Sequence, residues 1–336
     1  MDQNATLLNS IMGKTVAIVY IFEGDDSPGL DHFYSWKSNI IAGWMEAVQK
    51  LNGLPLILDV RTFVDKAINN TLPHVDYVLN LNSGTYLLSS MALVPSVCSA
   101  MNLPCIPCDA TSIVTGEEKN ISNHIAMGIG LNVPSYLPKS NPNGIFRPMS
   151  MGNSKGVIIG RAPEGQAGVY QEFIPGYDIT TPVVYNPLLK RMDVLPSVVF
   201  YPKEDNPQWY YDENSKSAQS GYDFKLVKMS ERLKEKYIEL TEIMGVRNFC
   251  RIDARVKNFS EQNGELYADF DDTYFVEINV MPTVRNKNSF NYSYENISEN
   301  DTIFPFVETL KQTTSDSSLN TFLLAVSMLE HTKTTC

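Results

Sequence analysis

Lys14 to Phe22 is a continuous apolar run, and the residues after it leave few folds open. Ser35 to Leu51 places Ile40, Ile41, Trp44, Met45, Val48 and Leu51 at helical spacing ahead of Gly53, a helix stop. Leu54 to Leu58 and Tyr77 to Leu81 read as further strands. Strand, helix, strand in this order is the start of an open parallel sheet. With 336 residues the chain exceeds the usual single-domain length and should divide into two or three units. An amino-terminal α/β unit is expected over 1–112. A second is expected over 113–181, where the Lys119 helix leads into short strands and a glycine-rich turn. A third is expected over 182–336. It opens with a strand from Leu195 to Tyr201 and a polar, aromatic loop from Pro202 to Tyr222. Next comes a helix capped by Ser230, with Leu233, Tyr237, Leu240 and Met244 on one face and Gly245 at its end. Further helices are expected around Phe304 to Leu310 and Leu319 to Glu330. There is no internal repeat and no low-complexity block.

Composition removes several classes of function. A net charge of −11 argues against a nucleic-acid groove, which needs a basic stripe. No window reaches 18 apolar residues and no charged-then-apolar leader opens the chain, so neither a membrane span nor a signal peptide is expected. The five cysteines, Cys98, Cys105, Cys108, Cys250 and Cys336, form no paired C-x-x-C sets. Cys105-Ile-Pro-Cys108 stands alone, without a nearby histidine or second cysteine pair, and is read as structural. The expected setting is a reducing, cytoplasmic one.

Two short runs carry the chemistry. Arg251-Ile-Asp-Ala-Arg and, downstream, Tyr274-Phe-Val-Glu277-Ile-Asn279-Val-Met-Pro282 both alternate polar with apolar residues. On adjacent strands, Asp253, Glu277 and Asn279 can then project oxygen ligands from one face. Mg²⁺ suits such a set, because it takes a few carboxylate oxygens and fills its shell with waters and nucleotide phosphates. Arg251, two positions before Asp253, adds a fixed cation on the same side. The alternative is an edge hairpin with solvated charges.

Arg-Ile-Asp followed by Val-Glu-Ile-Asn-x-x-Pro resembles the carboxy-terminal signature of the D-alanine:D-alanine ligases of the ATP-grasp superfamily. Further segments are similar in the same order: Cys98 to Asp109, Glu118-Lys119 with Gly128 to Pro134, Phe146 to Val157, Tyr170 to Thr180, and Val194-Leu-Pro-Ser-Val. The likeness spans roughly residues 14 to 290. It implies a three-domain ATP-grasp fold, α/β at the amino-terminal open parallel sheet and α+β beyond it. It also implies ATP with Mg²⁺ or Mn²⁺, small-molecule substrates and a homodimer. Residue by residue, Lys119 and Arg147 would lie on the nucleotide phosphates, with arginine acting as a planar fork where the family carries lysine. Gly152 and Gly156 would let a loop cover the phosphates, with Asn153 where the family has serine. Gln171, Glu172 and the backbone of Phe173 and Ile174 would read the adenine, and Asp178 would accept from the ribose. Lys216 would meet the transferred phosphate, and Arg251 would face the oxyanion of the tetrahedral intermediate. Asp253, Glu277 and Asn279 would hold the metal.

The substrate end departs from the pattern. Asp31 stands where a glutamate would hold the first substrate's ammonium, and Asn82-Ser-Gly-Thr replaces a segment that carries a histidine. Thr283 replaces a glycine, and the carboxylate-binding serine survives only as Ser289, displaced by one residue. The expectation is therefore an ATP-dependent carboxylate-amine ligase that joins small amino-acid-like substrates through an acyl phosphate, in specialised biosynthesis. The alternatives are a divergent D-alanine:D-alanine ligase of peptidoglycan synthesis and a non-catalytic nucleotide-binding protein.

Overall fold

The computed structural model describes residues 3–22, 38–84, 90–149, 154, 156–204, 206, 208–212, 215, 220–262, 264–284 and 288–332. Of the expected site residues, Asp31, Asn153 and Lys216 lie outside the described residues, as does Gly152.

Strands β1 (Thr15–Tyr20), β2 (Leu54–Asp59), β3 (Tyr77–Leu81) and β4 (Cys105–Ile106) form one sheet in the order β2-β1-β3-β4, parallel throughout. Their apolar character has a direct cause. Val16 and Ile18 enter a core shared with Trp44 and Val48 of the helix Ser38–Lys50, whereas Ala17 and Val19 enter a second core with Phe63 and Val94 on the other face. Strands buried on both sides read as continuous rather than alternating runs. Gly53 makes the first crossover possible. A Cβ there would fall 2.4 Å from the Lys14 carbonyl oxygen, which accepts the Leu54 amide at 3.0 Å as β2 begins.

The second sheet, β5 (Gly144–Pro148), β6 (Ile158–Ile159) and β7 (Gly168–Glu172), is antiparallel in the order β6-β5-β7. The third is built around β8 (Tyr177–Asn186), which pairs with β9 (Arg191–Val194), β10 (Ser197–Pro202) and β12 (Phe249–Val256). Beyond β12 lies β15 (Thr273–Asn279). Beyond β10 lie β11 (Tyr222–Met229), β14 (Glu265–Ala268) and β13 (Phe259–Gln262). Sheet membership changes between Glu172 and Tyr177, ahead of residue 181, because β8 is one continuous strand through that point. Likewise the helix Ala110–Glu117 runs through residues 112 and 113.

The helix Glu231–Ile243 buries Leu233, Tyr237 and Leu240, as its spacing predicts, and Gly245 comes after it at φ +70°. Ser230 occupies the N-cap, but its hydroxyl makes no capping bond. The helices Phe304–Thr314 and Leu319–His331 match their expected positions. The helix Leu319–His331 is buried along nearly its whole length, against the helices Ser38–Lys50 and Gln3–Ile11 and against β8. The helix Gln3–Ile11, not expected from the sequence, buries Leu8 and Ile11 in the same core. No helix among the described residues is long and apolar enough to cross a membrane.

Candidate active site

β12 and β15 run antiparallel with Asp253 opposite Glu277 and Arg251 opposite Asn279. Residues directly opposite share a face, so the four polar side chains expected from the alternating runs lie together. The register shifts between Asp253 and Ala254. A shift of this kind leaves a residue outside the ladder, here Val276. Its carbonyl is taken instead by Arg147 Nη1 at 2.7 Å and Asn123 Nδ2 at 3.3 Å. One irregularity in the strand thus draws the second sheet and the helix Lys119–Gly128 onto the ligand face.

Arg251 forks onto Asp253, with Nε 2.9 Å from Oδ1 and Nη2 2.7 Å from Oδ2, and Thr180 Oγ1 donates to the same Oδ1 at 2.6 Å. Burial pulls the guanidinium down, but the Asp253 carboxylate, joined by Glu277 and Tyr211, outweighs it and holds Arg251 above its ordinary range. Lys119 opens its helix almost wholly buried, with Nζ 3.5 Å from Glu277 Oε2. Arg147 is buried at the end of β5, and that burial lowers its pKa against the opposing pull of Glu277. Three cations therefore surround two carboxylates, an arrangement suited to a polyanion. Sequence reasoning passed over Glu117, which ends the preceding helix. Burial, reinforced by Glu277 and Glu118 and opposed by Lys119, pushes its carboxyl up to about 7. The acidic pair Glu117-Glu118 just before Lys119 was the available signal.

The donor set fits a hard divalent ion. Among the described residues no cluster of three His, Cys, Asp or Glu side chains could hold a metal alone. Mg²⁺, however, is ordinarily bound by one or two carboxylates with phosphates and water. Asp253 and Glu277 supply the carboxylates. Asn279 Oδ1, which among the described residues accepts only the Met281 amide at 3.1 Å, keeps a lone pair.

At the hinge, the expected roles divide. Gln171 is completely buried. Its Oε1 accepts from Arg147 Nη2 at 2.5 Å, and its Nε2 donates to Asn123 Oδ1 and the Pro134 carbonyl. Both donors of the amide are consumed, so Gln171 holds Arg147 in place and has only a lone pair of Oε1 left to offer a base. Glu172 accepts the Ser135 amide and hydroxyl on Oε1. Ile174 is buried, and Phe173 lies with its ring 5.0 Å from the Arg255 guanidinium. Asp178, expected to be free for a ribose, accepts the Tyr211 amide at 2.6 Å and Arg255 Nη1 at 2.9 Å on Oδ2, which leaves Oδ1 for a ligand.

The expected substrate side is less assembled among the described residues. Asn82 is buried and turned inward, accepting from the Gly84 amide and donating to the Ser90 carbonyl. Ser289 begins the short helix Ser289–Glu295, directly after its N-cap Asn288. The pair Cys105 and Cys108 is buried and unbridged, and the Cys108 thiol donates to the Val280 carbonyl at 3.7 Å.

No family model matches the sequence. A D-alanine–D-alanine ligase from Aquifex aeolicus (strain VF5) is 20% identical over 215 residues, covering 56% of this chain and 67% of that protein. The D-alanine–D-alanine ligase from Bacillus anthracis, solved in complex with ATP, superposes with a TM-score of 0.56 at 15% identity, covering 90% of this chain and 98% of that one. The VanG D-Ala:D-Ser ligase from Enterococcus faecalis superposes with a TM-score of 0.58 at 12% identity, covering 90% and 100%. With a parallel sheet, a small antiparallel sheet and a larger mixed sheet in which only β11 and β14 pair in parallel among the described residues, the chain has the fold of these D-alanine–D-alanine ligases, the ATP-grasp fold.

Proposed function

We propose that the protein is an ATP-dependent carboxylate-amine ligase, joining small amino-acid-like substrates into an amide or peptide bond with release of ADP and phosphate. The observation that carries this reading is the cluster of Asp253 and Glu277 across one strand pair, with Lys119, Arg147 and Arg251 around it. A carboxylate is a poor electrophile, and phosphorylation gives it a leaving group; the protein's task is to position and neutralise the transferring charge. Lys119 and Arg147, already desolvated and oriented, would bind the nucleotide phosphates without reorganising. Arg251 would stabilise the oxyanion formed when an amine attacks the acyl phosphate. Asp253, Glu277 and Asn279 would hold Mg²⁺ or Mn²⁺, which supplies charge neutralisation on the phosphates. Asn153 and Lys216 belong to this proposal by resemblance, as do Asp31 and Ser289 for the substrates. Glu172, the Phe173 and Ile174 backbone and Asp178 Oδ1 would receive the nucleoside.

The departures at Asp31, Asn82 and Ser289 favour substrates other than a D-alanine pair and a role in specialised biosynthesis. The weak likeness to the Aquifex aeolicus enzyme favours a second reading, a divergent D-alanine–D-alanine ligase. Resemblance also supports a cytoplasmic homodimer, which light scattering would check for assembly. ATP-dependent phosphate release, screened over D- and L-amino acids singly and in pairs, tests the function. Release that requires two substrates and yields ADP supports it. ATP binding without release for any pair overturns it.

A further inference from the structure

We propose that Arg255, to which neither the motifs nor the resemblance gave a role, is a positioning residue that ties the nucleotide hinge to the strap at residues 208–212 and, through it, to the turn at Ser154. The proposal rests on the reading that the hinge takes ATP. Arg255 is 5% exposed, and a buried guanidinium is tolerated only when its donors are met. Each nitrogen of the guanidinium reaches a different partner. Nε donates to the Ile174 carbonyl at 2.8 Å, Nη2 to the Gly176 carbonyl at 2.8 Å, and Nη1 to Asp178 Oδ2 at 2.9 Å. The first two acceptors are hinge backbone. Gly176 is glycine because it sits at φ +124° with Val256 O only 2.1 Å from where a Cβ would lie, so the hinge packs directly against the end of the Arg255 strand.

The third partner carries the link onward. Asp178 Oδ2 also accepts the Tyr211 amide at 2.6 Å, fixing the strap by its main chain. The Tyr211 ring stacks on Phe200 with centroids 4.3 Å apart and planes 10° from parallel, and its carbonyl accepts from Ser154 Oγ at 3.3 Å. Ser154 lies in the segment that resembles the phosphate-covering loop. A single charged group thus connects what would contact the adenine to what would flank the phosphates, and Asp178 Oδ1 is left for the ligand while Oδ2 holds the strap. Lysine could keep one of these bonds but not the fork.

Coupling between sites needs evidence beyond a chain of contacts, and Trp209, inside the strap, provides a local probe. ATP with Mg²⁺ should change the tryptophan emission of the wild-type protein, and Trp209→Phe should abolish that change. Arg255→Lys should bind ATP within about threefold of wild type by calorimetry yet lose more than half of the emission change, because the strap no longer senses the hinge. Where turnover is measurable, kcat should fall about tenfold while the ATP affinity holds. A wild-type protein that binds ATP without an emission change, an unaltered response in Arg255→Lys, or an affinity loss as large as the loss of response would each overturn the proposal. Should Arg255→Lys fail to fold, Ser154→Ala decides: a weakened response with unchanged affinity supports the link, and a full response overturns it. Absence of ATP binding would instead sink the proposed function.

Discussion

The proposed nucleotide side and the proposed substrate side of the site are built differently. On the nucleotide side nearly every polar group is held by another part of the fold: Arg147 by Gln171 and Val276, Asp253 by Arg251 and Thr180, Asp178 by Arg255 and Tyr211. On the substrate side Asn82 is spent on its own turn and Ser289 sits at the start of a short helix. Preorganisation of this kind is what phosphoryl transfer demands, whereas substrate recognition can be rewritten at a few positions without disturbing the sheet.

The strongest way to break this comparison is Asp253→Asn. If the ligand face works as proposed, turnover should fall by about 10² or more with the fold intact; normal activity at a normal melting temperature removes the metal assignment. The substrate side should show an effect of similar scale by choice of molecule. Two or three displaced polar contacts, each worth about 1 to 3 kcal/mol when buried, predict at least about 10² discrimination against a D-alanine pair relative to the best substrates. Robust D-alanyl-D-alanine synthesis with no better pair in a broad screen would promote the second reading.

Gln171→Leu sharpens the contrast through stability. It leaves Arg147 Nη2 and Asn123 without their buried partner and should cost about 1 to 3 kcal/mol in denaturant unfolding. An unchanged midpoint would show that Gln171 is dispensable to the scaffold and return it to the nucleotide. The smallest effect concerns Glu117. A carboxyl raised by the fold binds its proton more tightly folded than unfolded, so its stabilisation is whole below the ordinary value of 4.5 and lost as pH climbs through about 7. In nucleotide-free protein Glu117→Gln should flatten that decline; an identical pH profile in both proteins counts against the burial of this carboxyl.

Much of the scaffold was legible because its periodicities are strong. β3 falls on Tyr77–Leu81 as read, and the helix Leu319–His331 departs from expectation by one residue. The shared face of Asp253 and Glu277 is a consequence of alternation alone. Alternation could not reveal the register shift that frees the Val276 carbonyl, because an extra residue is a property of two strands rather than one. The scaffold bonds of Gln171 were hidden for a related reason: spacing places a side chain on a strand but does not say which neighbour consumes its donors. Arg255 lay in full view in the motif, and its role depends on Ile174, Gly176 and Asp178, all distant in sequence.

The helix Leu319–His331 completes a core shared with Leu8, Ile11, Ile18 and Trp44, so the parallel sheet depends on a segment far beyond β3 and β4 in sequence. On a ribosome, where amino-terminal domains ordinarily fold before later ones are made, β1 and the helix Ser38–Lys50 would wait through most of synthesis with an apolar flank uncovered. The amino-terminal unit therefore cannot close its core until the helix Leu319–His331 is available. Loss of the helix Leu319–His331 should injure the parallel sheet, distant in sequence, more than the sheet that holds β12 and β15.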